Sequence, residues 1–221
     1  MNQAEIAAQI DHTVLAPQSK HQTFVDACRY AAEHHCASVC ICPFFVRECA
    51  DLLRNSGVKV CTVIGFPHGT HTTDAKVFES RVAMEDGADE LDMVVNISKV
   101  KDRDWAYVEN DIAAVCKVVH GANRILKVIF EMCFLDEEEK IRLCEICTRL
   151  GVDFVKTSTG YGTHGATVAD VALMKAHVGP HVRIKAAGGI HNAEELLALR
   201  KAGATRFGCS RTEAVLAGFD A

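Results

Sequence analysis

Six times along this chain a helix-like stretch ends near a glycine and gives way, within a few residues, to a β-rich apolar run. Gly57 leads into 58–60, Gly87 into 91–95, Gly121 into 125–130, Gly151 into 154–155, Gly179 into 182–184 and Gly203 into 206–207. The glycines recur about every 30 residues, the length of one strand-plus-helix unit, and a glycine at a helix end supplies the left-handed backbone that closes it. Two further strand candidates, 10–15 and 38–42, precede the first glycine and bring the total to eight. Strands that alternate strictly with helices form a parallel sheet covered by helices, and eight such units predict closure into an α/β (β/α)8 TIM barrel. A doubly wound open sheet is the alternative. No linker, low-complexity tract or composition shift divides the sequence, so residues 1–221 are expected to form one catalytic domain.

The intervening segments carry helix signals of their own. Trp105, Val108, Ile112, Val115, Cys116 and Val119 fall at the three-and-four spacing of a single apolar face. Asp136 with Glu139, and Asn192 with Glu195, match a helix-start capping pattern. The 24 Lys and Arg against 29 Asp and Glu are mixed along the chain. No segment therefore resembles a basic nucleic-acid arm or a membrane-surface helix. The longest apolar run, 39–46, is too short to span a bilayer, and the first twenty residues lack the pattern of a secretory signal. The expected compartment is the cytoplasm, with no nucleic-acid or membrane partner.

Eleven cysteines invite a disulfide, a metal or a buried-thiol reading. A long, signal-free chain with an odd cysteine count argues against a disulfide scaffold. The lone Cys144-x-x-Cys147 lies in a helical pattern without further ligands, and Cys36, Cys40 and Cys42 lie in or beside a strand, so small buried side chains are expected. His68 and His71 form an H-x-x-H in the loop after the third strand, but no third ligand is in reach and no metal site is expected. His34 and His35 end a helix, where they suit its dipole.

In a barrel of this kind chemistry gathers at the C-terminal ends of the strands. Asp92 lies within 90–95, Lys156 ends 153–156 and Lys185 follows 182–184. One such residue alone would read as a buried ion pair. Three converging on one lumen are parts for Schiff-base chemistry, because burial and a second ammonium favour the neutral amine that attacks a carbonyl. The segment 157–162 adds hydroxyls and glycines after Lys156. Two further turns, Gly188 with Gly189 and Gly208 with Ser210 at a helix start, suit a phosphate cradle, with Arg211 as a planar charged partner.

In 10–15, 65–69, 87–96, 155–160 and 184–190 the sequence resembles the deoxyribose-phosphate aldolase family, in order over nearly the whole chain. The resemblance implies a class I aldolase without metal or cofactor, acting on a sugar phosphate and aldehydes as a homo-oligomer, a homodimer. It assigns Lys156 as the Schiff-base lysine, Lys185 as the second lysine that lowers its pKa, and Asp92 as the proton-relay carboxylate. Gly188, Gly189, Gly208 and Ser210 match the phosphate site. The alternatives are another TIM-barrel sugar-phosphate aldolase or epimerase, or a barrel that only binds. Ala16, Tyr161, the 209–211 run and the segment 131–135 depart from the commoner family pattern. The last of these is expected to reshape the pocket wall.

Overall fold

The computed structural model of the chain describes residues 1–220 and closes eight parallel strands into a barrel in sequence order, β1 pairing with both β2 and β8. The strands are β1 (Ile10–Val14), β2 (Ser38–Ile41), β3 (Lys59–Ile64), β4 (Glu90–Val94), β5 (Ile125–Ile129), β6 (Phe154–Lys156), β7 (Arg183–Ala187) and β8 (Arg206–Cys209). The helices are α1 (Gln3–Ala7), α2 (His21–Glu33), α3 (Val46–Leu52), α4 (Thr73–Glu85), α5 (Ile97–Lys101), α6 (Trp105–Gly121), α7 (Glu137–Leu150), α8 (Val168–His177), α9 (Ala193–Ala202) and α10 (Thr212–Leu216). The open-sheet alternative is set aside by the β1–β8 ladder.

The predicted apolar face of α6 is the buried one: Val108, Ile112, Val115 and Val119 are sealed against the barrel wall, each contributing about 1.5–3 kcal/mol of burial. Asp136 and Glu139 cap α7 reciprocally. At the start of α9, Asn192 accepts from the Glu195 N–H, but the Glu195 carboxylate reaches the backbone of His191 instead of closing the box. Left-handed backbone does end α7, at Gly151 (φ 69°), whereas at the end of α6 Asn123 (φ 55°) takes that role and Gly121 remains helical.

Side chains alternate along each strand. On β4, Leu91 and Met93 join the large core between sheet and helices, while Glu90 and Asp92 enter ion pairs inside the lumen. Beneath them the Phe154 ring is covered by Arg183, whose guanidinium carbon is 3.9 Å from the ring centroid. Above them the lumen opens among the loops that follow the strands. The eleven cysteines are free thiols, and Cys36, Cys40, Cys144 and Cys147 are buried.

Candidate active site

The lumen holds a layer of charge. Asp92 is fully buried and accepts from three lysines: Lys127 at 2.8 Å on Oδ1, and Lys156 at 2.8 Å and Lys185 at 2.7 Å on Oδ2. Lys185 also donates to Asp11, and Lys127 reaches Glu90 at 2.6 Å and Asp11 at 3.2 Å. Arg206 completes the set against Asp11 and Glu90 at 2.6 and 2.9 Å. Neighbouring strands create this convergence: Asp92 lies beside Lys127 in the β4–β5 register, and Lys156 beside Lys185 in the β6–β7 register. Gly208 leaves the room Lys185 needs, since a Cβ there would stand 3.3 Å from the Lys185 Cε.

Burial alone would raise the Asp92 carboxyl, but Lys127, Lys156 and Lys185 outweigh it and hold Asp92 well below the usual carboxylate range. Burial pulls Lys185 down, yet Asp11 and Asp92 overcome it and push the ammonium above an ordinary lysine. Lys127 is raised in the same way, chiefly by Asp11 and Asp92 against burial. At rest Asp92 is thus an anion and Lys185 and Lys127 are cations. Cys61 Sγ lies 3.2 Å from both Asp92 Oδ1 and Lys127 Nζ, and burial keeps its thiol protonated. Ligand-type atoms of Cys40, Cys61 and Asp92, and of Asp11, Cys61 and Glu90, do converge, but lysine ammonium groups already occupy Asp92, Asp11 and Glu90. His68 and His71 stand exposed on their loop.

A cavity of about 490 Å³ lies above the charged layer, walled by residues that follow β1, β6, β7 and β8. Lys156 opens into it, whereas Lys185 and Asp92 sit behind Lys156 and do not line it. Gly188, Gly189, Gly208 and Ser210 all line the same cavity, with His191 beside them. Gly188 and Gly189 are both left-handed (φ 81° and 75°), and Gly189 has open space where a Cβ would stand. Arg211 is placed differently: it faces a neighbouring cleft of about 550 Å³ that shares Ser210 as a wall.

The hydroxyls after Lys156 mostly tie the loop down. Thr157 bonds both ends of the Ala187 peptide environment, donating to its carbonyl at 3.3 Å and accepting its N–H at 3.1 Å. Thr159 donates its hydroxyl to Glu131, and Ser158 Oγ is buried without a partner among the described residues. The 131–135 segment expected to reshape the pocket does not line the cavity. Its first residue, Glu131, acts from behind, through Thr159. Reading the sequence missed Lys127, Asp11, Glu90, Arg206 and His191. A lone lysine inside the apolar run 125–130 was the available signal for Lys127.

Comparison with known proteins agrees with this geometry. A deoxyribose-phosphate aldolase of Thermococcus kodakarensis is 51% identical over 212 residues, covering 95% of this chain and 95% of the relative. One from Rhodopirellula baltica is 49% identical over 212 residues, covering 96% and 88%. The solved structure described as a unique tetrameric deoxyribose phosphate aldolase from Aeropyrum pernix superposes with a TM-score of 0.91 at 29% identity, over 97% of this chain and 91% of that one. The family model for DeoC/LacD family aldolases matches residues 6–213, and the chain belongs to that family.

Proposed function

We propose that this chain is a class I aldolase that reversibly cleaves 2-deoxy-D-ribose 5-phosphate to D-glyceraldehyde 3-phosphate and acetaldehyde, in deoxyribonucleoside breakdown. The observation that carries this reading is that Lys156 is the lumen lysine whose amine opens into the cavity while it remains bonded to the buried anion Asp92.

Four cationic groups, Lys127, Lys156, Lys185 and Arg206, face three carboxylates, Asp11, Glu90 and Asp92. One proton can therefore leave without stranding a carboxylate, and Lys156 is the group placed to give it up. Its neutral amine attacks C1 of the open-chain sugar. The carbinolamine loses water, and the resulting iminium accepts the electron pair of the C2–C3 bond as that bond breaks and the C3 hydroxyl loses its proton. Glyceraldehyde 3-phosphate departs. The enamine left on Lys156 takes a proton at carbon, and water then releases acetaldehyde and the free amine. Asp92 Oδ2 accepts from both Lys156 and Lys185, so a single carboxylate oxygen connects the two amines between which the proton is to move.

The phosphate is assigned to Gly188, Gly189, Gly208 and Ser210, where backbone N–H groups can approach an oxyanion closely. Arg211, across Ser210, contributes long-range charge. The reading includes self-association as a homo-oligomer, supported by the exposed rings of Phe44 (77%) and Phe78 (70%). Eleven free thiols support a reducing compartment, the cytoplasm. No helix among the described residues is long and apolar enough to cross a membrane.

Incubation with deoxyribose 5-phosphate tests the assignment. Acetaldehyde and glyceraldehyde 3-phosphate should appear in equal amounts, undiminished by EDTA. No release would refute the reaction, and loss in EDTA with recovery on adding zinc would refute the imine chemistry.

A further inference from the structure

The cavity occupies only part of the barrel mouth. Apart from Thr23 of α2, its walls come from the units of β6, β7, β8 and β1, which are consecutive around the closed sheet. Four consecutive strands make an arc, and an arc leaves one side open. Tyr161 stands on that side. It projects from the loop after β6, and its hydroxyl donates to the Leu15 carbonyl in the loop after β1 at 2.8 Å. The open ends of the arc are thereby joined. Phe66, from the loop after β3, packs edge-on against the Tyr161 ring, with centroids 5.5 Å apart and planes at 87°, and does not itself line the cavity.

Tyr161 is half exposed, so burial alone does not hold it. It is held from below. Its N–H donates to Thr159 Oγ1 at 3.0 Å, and Thr159 in turn gives both its hydroxyl and its N–H to the Glu131 carboxylate. Glu131 is 2% exposed and sits in left-handed backbone (φ 59°), a conformation costly for any residue but glycine and one that must be held by its surroundings. Gly162 lies flat on this carboxylate, since a Cβ there would meet Cys133 Sγ at 2.5 Å and Glu131 Cδ at 3.1 Å. Glu131, Thr159, Tyr161 and Leu15 thus form one hydrogen-bonded chain from the buried wall to the rim.

We propose that Tyr161 is a specificity-determining partition that confines the acceptor aldehyde to the β6–β1 side of the mouth, and that Glu131 is the residue that positions it. This rests on the aldolase reading above. The aldehydes excluded are unphosphorylated ones with long or aromatic side chains, which gain nothing from the glycine-lined end and would need the space beyond the Tyr161 ring.

The test is the condensation of acetaldehyde with two acceptors, hexanal and D-glyceraldehyde 3-phosphate, followed as the ratio of their kcat/KM values. Tyr161→Ala should raise the hexanal-to-phosphate ratio by about tenfold or more, the scale on which a pocket wall discriminates carbon chains. Tyr161→Phe keeps the ring and loses the latch, and should shift the ratio by about threefold. Glu131→Gln should shift it in the same direction, and adding Tyr161→Phe to it should give less than the product of the two effects, because both act on one chain of bonds. Equal losses for both acceptors in Tyr161→Ala would overturn the proposal, and if that variant does not fold, an unchanged ratio in Tyr161→Phe would do so. Failure of the unmodified protein to cleave deoxyribose 5-phosphate would instead overturn the aldolase reading.

Discussion

Among the described residues, two places bury a lysine completely, and they surround it differently. On the outside of the barrel Lys76 of α4 donates to Asp111 of α6 at 2.6 Å and to the Val94 carbonyl at 2.9 Å, both charged groups being almost wholly sealed. Inside the barrel, Lys127, Lys156 and Lys185 crowd around Asp92. The outer pair, one cation against one anion, lines neither of the two cavities described above, and it fastens two helices to the end of β4. The inner cluster carries one cation more than its carboxylates can match, and a cavity of about 490 Å³ opens over Lys156. Burial of an ion pair is therefore no mark of chemistry by itself. Surplus charge with access to a ligand-sized space is.

Changing Lys156 to Leu separates the two places most sharply. Turnover should fall by at least about 10⁴-fold, as expected when a covalent nucleophile is removed, while thermal melting shows a folded barrel. Asp92→Asn should lower turnover by about 10²–10⁴-fold. It should also lower the melting temperature, because Lys127 and Lys185 keep their other carboxylates but Lys156 loses its anion. If that variant melts early yet turns over normally, Asp92 belongs with the outer pair as a structural anion. At the outer pair the pattern should reverse: Lys76→Met strands Asp111 in an apolar site and should cost about 3–5 kcal/mol in denaturant unfolding, with turnover per folded molecule unchanged. The double change of Lys76→Met with Asp111→Leu should recover most of that loss.

His12 is a largely enclosed group whose side-chain partner is the Thr212 hydroxyl at 2.7 Å and not a carboxylate. Burial first, and the nearby His34 second, lower its pKa to about 4. The folded state thus holds His12 neutral where the unfolded chain would protonate it. Its contribution is complete above the ordinary histidine value near pH 6.5 and is lost as pH falls toward 4, by about 2–3 kcal/mol. Unfolding free energies measured at pH 7 and pH 4.5 should show that slope, and His12→Asn should flatten it. The lumen carboxylates should add nothing over this interval, because Asp11 and Asp92 are depressed and shed stability only below about pH 4.

The barrel was legible because the glycine joints recur at the length of a βα unit and the helices declare their apolar faces and caps. Lys156, Lys185 and Asp92 were legible because each interrupts or ends an apolar strand. Lys127 gave the same signal in the middle of β5 and was passed over, since nothing in a linear sequence says that β5 lies beside β4 with Lys127 opposite Asp92. Asp11 lay in plain view after Ile10, but its partners Lys127, Lys185 and Arg206 are all more than 100 residues away. Loop geometry was the least legible. Whether Arg211 faces the Lys156 cavity or the cleft next to it depends on how the turn after β8 leaves the barrel. The use of Tyr161 depends on a carbonyl that any residue at position 15 would supply.

Of the lysines in this lumen, Lys156 alone is expected to become covalently bound to substrate. Reduction with borohydride in the presence of acetaldehyde, followed by peptide mass mapping, reads this out. A single ethyl adduct is expected on the peptide that carries Lys156. An adduct on Lys185 or Lys127, or no adduct at all, would contradict it.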